Sequence, residues 1–327
     1  MKKLSSYILK SLISISNQRI LIPFYHAVSD EAPPFVEHLY RPRSIVNFER
    51  DLDTLLEFYK PISLKELTKL TKSELKGNEN YFHLTFDDGL DNFYEIVAPI
   101  LKKKNIPATI FLNTDFVDNK ELFFRYKASL LLGEYLNSTV DVKNLFYKFL
   151  KKNNYTGTNV RAFLLTIKYQ NRSILDDLAD VLNYDFSYFL KIEKPYLSKI
   201  KIKELITEGF TFGAHSENHP FFNELTREEQ LAQTFNSINW VKKELNQSVK
   251  AFSFPFHDIG IPKAFFEKLS DEMDISFGTS GIKRDSVKNN FQRISFERAP
   301  SNIKLFLIKE YFNYFLKIPL GKSIIKR

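Results

Sequence analysis

The feature that most constrains this chain is a repeated alternation of short, β-prone apolar runs with helical segments. Residues 19–25 read RILIPFY, an apolar run bounded by polar residues, which predicts a buried strand. Residues 45–59 follow, with Ile45, Phe48, Leu52, Leu55, Leu56 and Tyr59 at helical spacing. Ser63 with Glu66 three residues on is the capping-box pattern of a further short helix. Residues 81–86 predict a second strand, 92–104 a helix, 105–107 a turn and 108–112 a third strand. Strand, helix, strand at this spacing is a βαβ unit with parallel strands.

The rhythm stops over residues 118–200 and then resumes. That stretch is rich in Leu, Lys, Asn, Tyr and Phe, with helical patterns near 121–136, 142–151 and 173–182 and no strand candidate. It reads as a helical insertion between two strands of a parent fold. Beyond it come a helix over 200–208 ended by Gly209, a strand over 210–214, and a helix over 226–246 with Thr226 as N-cap and Glu228 and Glu229 in its first turn. Strands are expected at 251–254 and 275–278. Repeated units of this size point to an α/β barrel or an open parallel sheet.

Composition narrows the chemistry. With 327 residues and 43% hydrophobic content, the chain can bury a sizeable core as one large domain or one domain with an insertion. The 32 Phe and 16 Tyr predict a core built on rings, with a few left over for sugar stacking. There is no cysteine, so disulfides and thiolate metal sites are excluded, and any metal must sit on His, Asp or Glu. The net charge of +8 comes from lysines spread along the whole chain, which is first a solvated surface and second a preference for anionic partners. No zinc finger, RNA-recognition signature or long basic tail is present, so a nucleic-acid partner is not expected.

The ends are basic. Lys2 and Lys3 precede an apolar run over 4–15 that Lys10 interrupts, with no small-x-small cleavage site after it. An amphipathic helix over 1–18 is expected there. Residues 303–327 predict a basic amphipathic helix with a Lys/Arg-rich tail. A core-packing helix with a solvated edge is the favoured reading, and peripheral contact with a membrane surface the other. No stretch of about 18 uninterrupted apolar residues exists, so a spanning helix is not expected. A bacterial protein, cytoplasmic or membrane-associated, is expected, with secretion left open.

Two motifs carry chemistry. Thr85-Phe86-Asp87-Asp88-Gly89 puts adjacent carboxylates at the C-terminal end of a strand, where α/β folds build their sites. Gly89 gives the backbone freedom to turn both toward one site. Held together, two carboxylates repel unless a cation or a shared proton relieves them. His215-Ser216-Glu217-Asn218-His219 follows another strand, and two histidines four apart can share one metal. Taken singly, each motif is as readily a surface turn or a pair of loop histidines. Together they converge on one end of the sheet and supply three ligands and a spare carboxylate for general-base work.

At this point the resemblance becomes specific. The TFDDG run at 85–89 and the HSENH run at 215–219 resemble the first two motifs of the polysaccharide deacetylase family, also called NodB-homology domains or family 4 carbohydrate esterases. LIPFYHAVSD at 21–30 resembles the opening strand of YHxV-type members, and 45–67 their following helix and turn. The resemblance covers about 19–117 and 201–302, and implies a distorted, incomplete (β/α) barrel as the catalytic domain. It implies Asp87 as general base, and Asp88, His215 and His219 as ligands of one divalent metal, zinc first and cobalt, nickel or manganese next. The family's Arg-x-Pro-aromatic motif appears as Ser253-Phe254-Pro255-Phe256, with Pro255 and Phe256 kept and the arginine replaced. The Phe256 N–H would then hold the oxyanion, while Arg293 or Arg298 is the candidate to orient Asp87. The late Leu-x-His motif is not visible, so His26 is the candidate acid and His257 the weaker one, whereas His83 is expected to be buried and structural.

The implied reaction is removal of N-acetyl groups from an N-acetylated sugar. The alternatives are a deformylase or O-acetyl esterase of the same fold on a lipid-linked sugar, an inactive glycan-binding module, and a metal-dependent phosphoesterase. The sequence gives no oligomeric state.

Overall fold

A computed structural model describes residues 2–72, 79–153, 155, 157 and 159–327; Met1, 73–78, 154, 156 and 158, which fall within the expected terminal helix, catalytic region and insertion, lie outside the described residues. Eight parallel strands form the centre: β1 (Pro23–Tyr25), β2 (Leu84–Phe86), β3 (Ala108–Leu112), β4 (Thr211–Ala214), β5 (Ala251–Ser253), β6 (Ile275–Gly278), β7 (Asn290–Gln292) and β8 (Ile294–Ser295). Their order is β7-β6-β5-β4-β3-β2-β1-β8. The two edge strands are therefore neighbours in the chain, separated only by Arg293. Its N–H donates to Gly278 on β6 (3.0 Å), and the next N–H, of Ile294, donates to Ile22 beside β1 (2.9 Å). One extended segment thus holds both edges, and the sheet curls into a distorted (β/α) barrel.

Helices cover its outside: α1 (Lys2–Ser16), α2 (Ile45–Phe58), α3 (Leu64–Lys72) and α4 (Ala98–Lys104) before the insertion. The insertion contributes α5 (Phe124–Asn137), α6 (Val140–Lys152), α7 (Val160–Thr166), α8 (Ile174–Leu182) and α9 (Phe186–Glu193). Then come α10 (Lys199–Thr207), α11 (Arg227–Leu245), α12 (Lys263–Lys268) and α13 (Ile303–Lys317). Strand residues alternate between the two faces of the barrel wall. Tyr25, Leu84, Phe86 and Ile294 join the core that α2, α4 and α11 pack against through Leu52, Leu55, Leu101 and Val241. The insertion has a separate core, in which Leu131, Phe146, Leu164 and Leu178 from α5 to α8 meet Phe35 and Val36. Both caps read from the sequence are made: Ser63 with Glu66, and Thr226 with Glu229.

Several boundaries differ from expectation. The run over 19–25 is two strands, because Ile20–Leu21 pairs with Tyr81–Phe82 in a small outer sheet before the chain enters β1. The helix expected over 92–104 begins as a π-turn (Phe93–Val97). In the insertion α7 and α9, seven and eight residues long, were too short for their periodicity to register. The C-terminal helix stops at Lys317, and the tail, though largely exposed, is pinned at its end. Ile324–Ile325 pairs with Arg284–Asp285, and Arg327 is buried in ion pairs with Asp258 and Asp285. Two buried carboxylates need a counter-charge, and the arginine supplies it.

Candidate active site

The site sits at the C-terminal ends of the barrel strands, above a polar interior. Below it, His83 Nδ1 donates to Ile62 O (2.8 Å), its Nε2 lies 2.9 Å from Thr109 Oγ1, and burial lowers its pKa to about 4. It is buried and bonded at both nitrogens, as expected of a structural histidine.

Asp87 and Asp88 end β2. Asp88 has φ +69°, and Gly89 follows at φ +63°, where an added Cβ would also press on Leu112 Cδ2 at 2.6 Å. This left-handed pair breaks the strand alternation and brings both carboxylates to the same place. Ser216 (φ +69°), His219 (φ +59°) and Phe256 (φ +57°) share the strained region. Such conformations cost roughly 1–3 kcal/mol each and concentrate where geometry serves function.

Asp88, His215 and His219 are all buried, and one ligand atom from each lies within 4.8 Å of the others. Asp88 Oδ1 stands 3.4 Å from His219 Nε2 and 3.7 Å from His215 Nε2. Ligands at tetrahedral zinc distances stand about 3.4 Å apart. Asp88 Oδ1 has no hydrogen-bond partner although it is buried, and so needs a cation. His215 Nδ1 lies 2.8 Å from Ser253 O, a carbonyl that can only accept, so Nδ1 carries the proton and Nε2 the lone pair. Burial lowers the pKa of His215 and takes that of His219 down to about 3, outweighing the aspartates, so both rings are neutral and able to ligate. The donor set fits a divalent cation.

Asp87 is buried beside the trio and clamped by Arg293, whose Nη1 and Nη2 donate to its two oxygens at 2.7 Å each. Burial works to raise the carboxyl pKa, but the guanidinium, with His215 and His26 behind it, holds it well below the ordinary range. Arg293 is itself fully buried, and its Nη1 also donates to Thr85 Oγ1 (3.2 Å). Ser253, which stands where the family motif has arginine, donates weakly to Asp87 (3.4 Å). Of the two arginine candidates, Arg298 is exposed at the rim, away from Asp87's partners, because its neighbours Phe296 and Glu297 turn inward.

Across the cleft, His26 Nδ1 lies 2.9 Å from Glu297 Oε2, and Glu297 Oε1 accepts the Ala27 N–H (3.0 Å). Burial opposes the charged ring, but Glu297, together with Asp88 and Asp87, raises the His26 pKa to about 9. Its Nε2 has no partner among the described residues. Pro255 and Phe256 follow β5, and the Phe256 N–H likewise finds no acceptor among the described residues. His257 lines the same cleft of about 490 Å³.

Three side chains at this site were not anticipated. Glu297 carries a signal that was there to be read: Arg293, Ser295 and Glu297 alternate with buried Ile294 and Phe296, the period of a strand. Tyr126 and Phe123 come from the insertion. Tyr126 donates to Asp88 Oδ2 (2.8 Å), and the Phe123 ring lies 4.4 Å from that of His219. No motif announces either.

A parallel barrel with a buried Asp-His-His trio and an arginine-held carboxylate at its strand ends is equipped as a hydrolase. The chain belongs to the polysaccharide deacetylase family, whose model matches residues 74–263, more than half its length. It is accordingly a carbohydrate deacetylase, in a family that is generally metal-dependent. His26, Arg293 and Glu297 lie outside the matched stretch. The fold is shared with a deacetylase, PplD, of Streptococcus pyogenes solved with acetate (18% identity, 88% of this chain and 96% of that one, TM-score 0.56). It is shared also with IcaB from Ammonifex degensii (15%, 89% and 96%, 0.55) and a de-N-acetylase from Aggregatibacter actinomycetemcomitans (14%, 88% and 99%, 0.51). By sequence, no curated protein matches the chain.

Proposed function

We propose that the chain is a metal-dependent de-N-acetylase of an N-acetylated sugar or polysaccharide, with Asp88, His215 and His219 holding one divalent ion, zinc first. The observation that carries this reading is the orphaned, buried Asp88 Oδ1 between two neutral histidines, next to a carboxylate that Arg293 keeps ionised. The ion would supply Lewis acidity toward the acyl carbonyl and the attacking water. Asp87 takes the proton of that water as the oxygen adds to the acyl carbon. The Phe256 N–H donates to the oxyanion of the tetrahedral adduct. His26 then gives its Nε2 proton to the departing nitrogen, the carbon–nitrogen bond breaks, and acetate and an amino sugar leave. Glu297 keeps His26 protonated for this step.

The His26 pKa of about 9 favours an amide over an ester, because an amine leaves only when protonated and an alkoxide depends on this less. An O-acetyl esterase or deformylase of the same fold is the second reading. An inactive glycan-binding module loses its main support, the missing arginine, since Arg293 supplies a buried guanidinium bonded to both Asp87 oxygens. We place the chain in the YHxV-type subgroup on the run at 21–30, and expect a bacterial, membrane-associated or cytoplasmic protein.

The test is metal analysis and acetate release from N-acetylglucosamine oligomers, for the natural chain and His215→Ala. About one bound divalent ion and acetate release, both lost in the variant, are expected. A natural chain that binds no metal would sink the mechanism, and release from O-acetyl but not N-acetyl substrates would favour the second reading.

A further inference from the structure

The described residues include nineteen exposed large hydrophobic side chains, and nine of them belong to α1, α13 and the tail that follows α13. On α13, Leu305, Phe312 and Leu316 are spaced by seven and four residues, which sets them on one stripe of the helix. On α1, Leu4 and Ile15 are eleven apart and share a face that Tyr7 borders. The opposite flanks of both helices, through Leu9, Ile13, Leu307 and Tyr311, are buried in the same core.

The two helices lie side by side and run the same way. Lys304 Nζ donates to Ser6 Oγ (2.9 Å) near their starts, and Gln18 Nε2 donates to Tyr314 Oη (2.9 Å) near their ends. Their free flanks therefore face outward from one side of the barrel. Residues 2–16 and 303–326 hold eight Lys against a single carboxylate, Glu310, and of these Lys304 is paired with Glu57 on α2. Lys3, Lys10 and Lys309 are exposed among the apolar residues. Neither helix is long and apolar enough to cross a bilayer.

We propose that this two-helix face docks, lying flat, on an anionic lipid surface, with its exposed apolar side chains in the headgroup–acyl boundary and its lysines on the headgroups. The charge decides the occupant. A second copy of the chain would bring the same cationic face against itself, whereas an anionic bilayer neutralises it. The inference is independent of the site's chemistry.

The test is flotation of the full chain with vesicles of phosphatidylcholine alone or with about one third phosphatidylglycerol, at low and high salt, beside the triple variant Leu305→Ser/Phe312→Ser/Leu316→Ser. The natural chain should float with the anionic vesicles, weaken at least several-fold as salt screens the lysines, and bind neutral vesicles far less. The variant should lose roughly ten-fold in partitioning. Its thermal melting and its hydrolysis of soluble oligosaccharides should be unchanged, because all three side chains are on the surface. No flotation, equal flotation with neutral vesicles, or a variant that floats as well as the natural chain overturns the proposal. A salt-stable dimer dispersed by the variant, without flotation, overturns it in favour of self-association.

Discussion

The barrel and the insertion meet at the same trio, Asp88, His215 and His219, but contribute differently. The barrel provides the charges: Asp87 and Asp88 from β2, His215 after β4, Arg293 between β7 and β8. The insertion provides the wall: Tyr126 bonded to Asp88, Phe123 against His219, and Arg125 over the ring of Phe256 (5.7 Å). The insertion also reaches the turn after the neighbouring strand β2, with the Leu197 N–H donating to Gly89 O (2.9 Å) immediately after the two aspartates. Charge chemistry therefore depends on strand ends, while its orientation and dryness depend on a segment without a recognisable motif. Outer partners of metal ligands fix their geometry and typically tune affinity by about 10–100-fold.

Substitutions on each side can break or sharpen that contrast. Asp87→Asn should have the largest effect, lowering kcat by roughly 10²–10⁴ while bound metal, measured in the same sample, is retained. Loss of metal as well would move Asp87 into the ligand set. Next is Arg293→Met, which leaves a buried carboxylate without its counter-charge. Urea unfolding should show about 3–5 kcal/mol less stability at neutral pH, and an unchanged midpoint would mean the clamp is dispensable.

On the insertion side, Tyr126→Phe removes one hydrogen bond to Asp88 and little volume. Metal affinity by competition with a chelator should fall about ten-fold, with stability nearly unchanged. An unaffected affinity would reduce the insertion to a passive wall. The smallest effect is a shift in pH. In the natural chain the protonated His26 is lost as pH rises through about 9, so kcat/KM should fall on that side. The same raised pKa stabilises the fold fully below about 6.5 and loses that contribution as pH climbs through about 9. In Glu297→Gln the alkaline limb should move down by at least about one unit, because burial then opposes the charge with less resistance. A limb that stays in place would assign it to another group.

Legibility followed the same division. Strands β2, β3, β4 and β6 were readable because each is a short apolar run followed by a helix or a turn, and their ends gave Asp87, Asp88 and the two histidines. Strands β7 and β8 were not, being three and two residues long and interrupted by a charged side chain. That same interruption left Arg293 and Arg298 as alternative candidates to orient Asp87, since nothing in the sequence marks which of the two is buried. Tyr126 was invisible for another reason. It lies on α5, whose buried positions run almost all the way round the helix, so one buried tyrosine among them carries no mark.

Arg293 and Asp87 are 206 positions apart, and the arginine occupies the residue at which the first and last strands of the sheet come together. Until that seam is sewn, Asp87 has no partner. The clamp on Asp87 is thus made by the act that completes the fold: until β7 and β8 are in place, Arg293 cannot reach it. Contacts of such long sequence separation form late and slowly. Recovery of activity during refolding should therefore track the final closure of the molecule and trail the appearance of its helices.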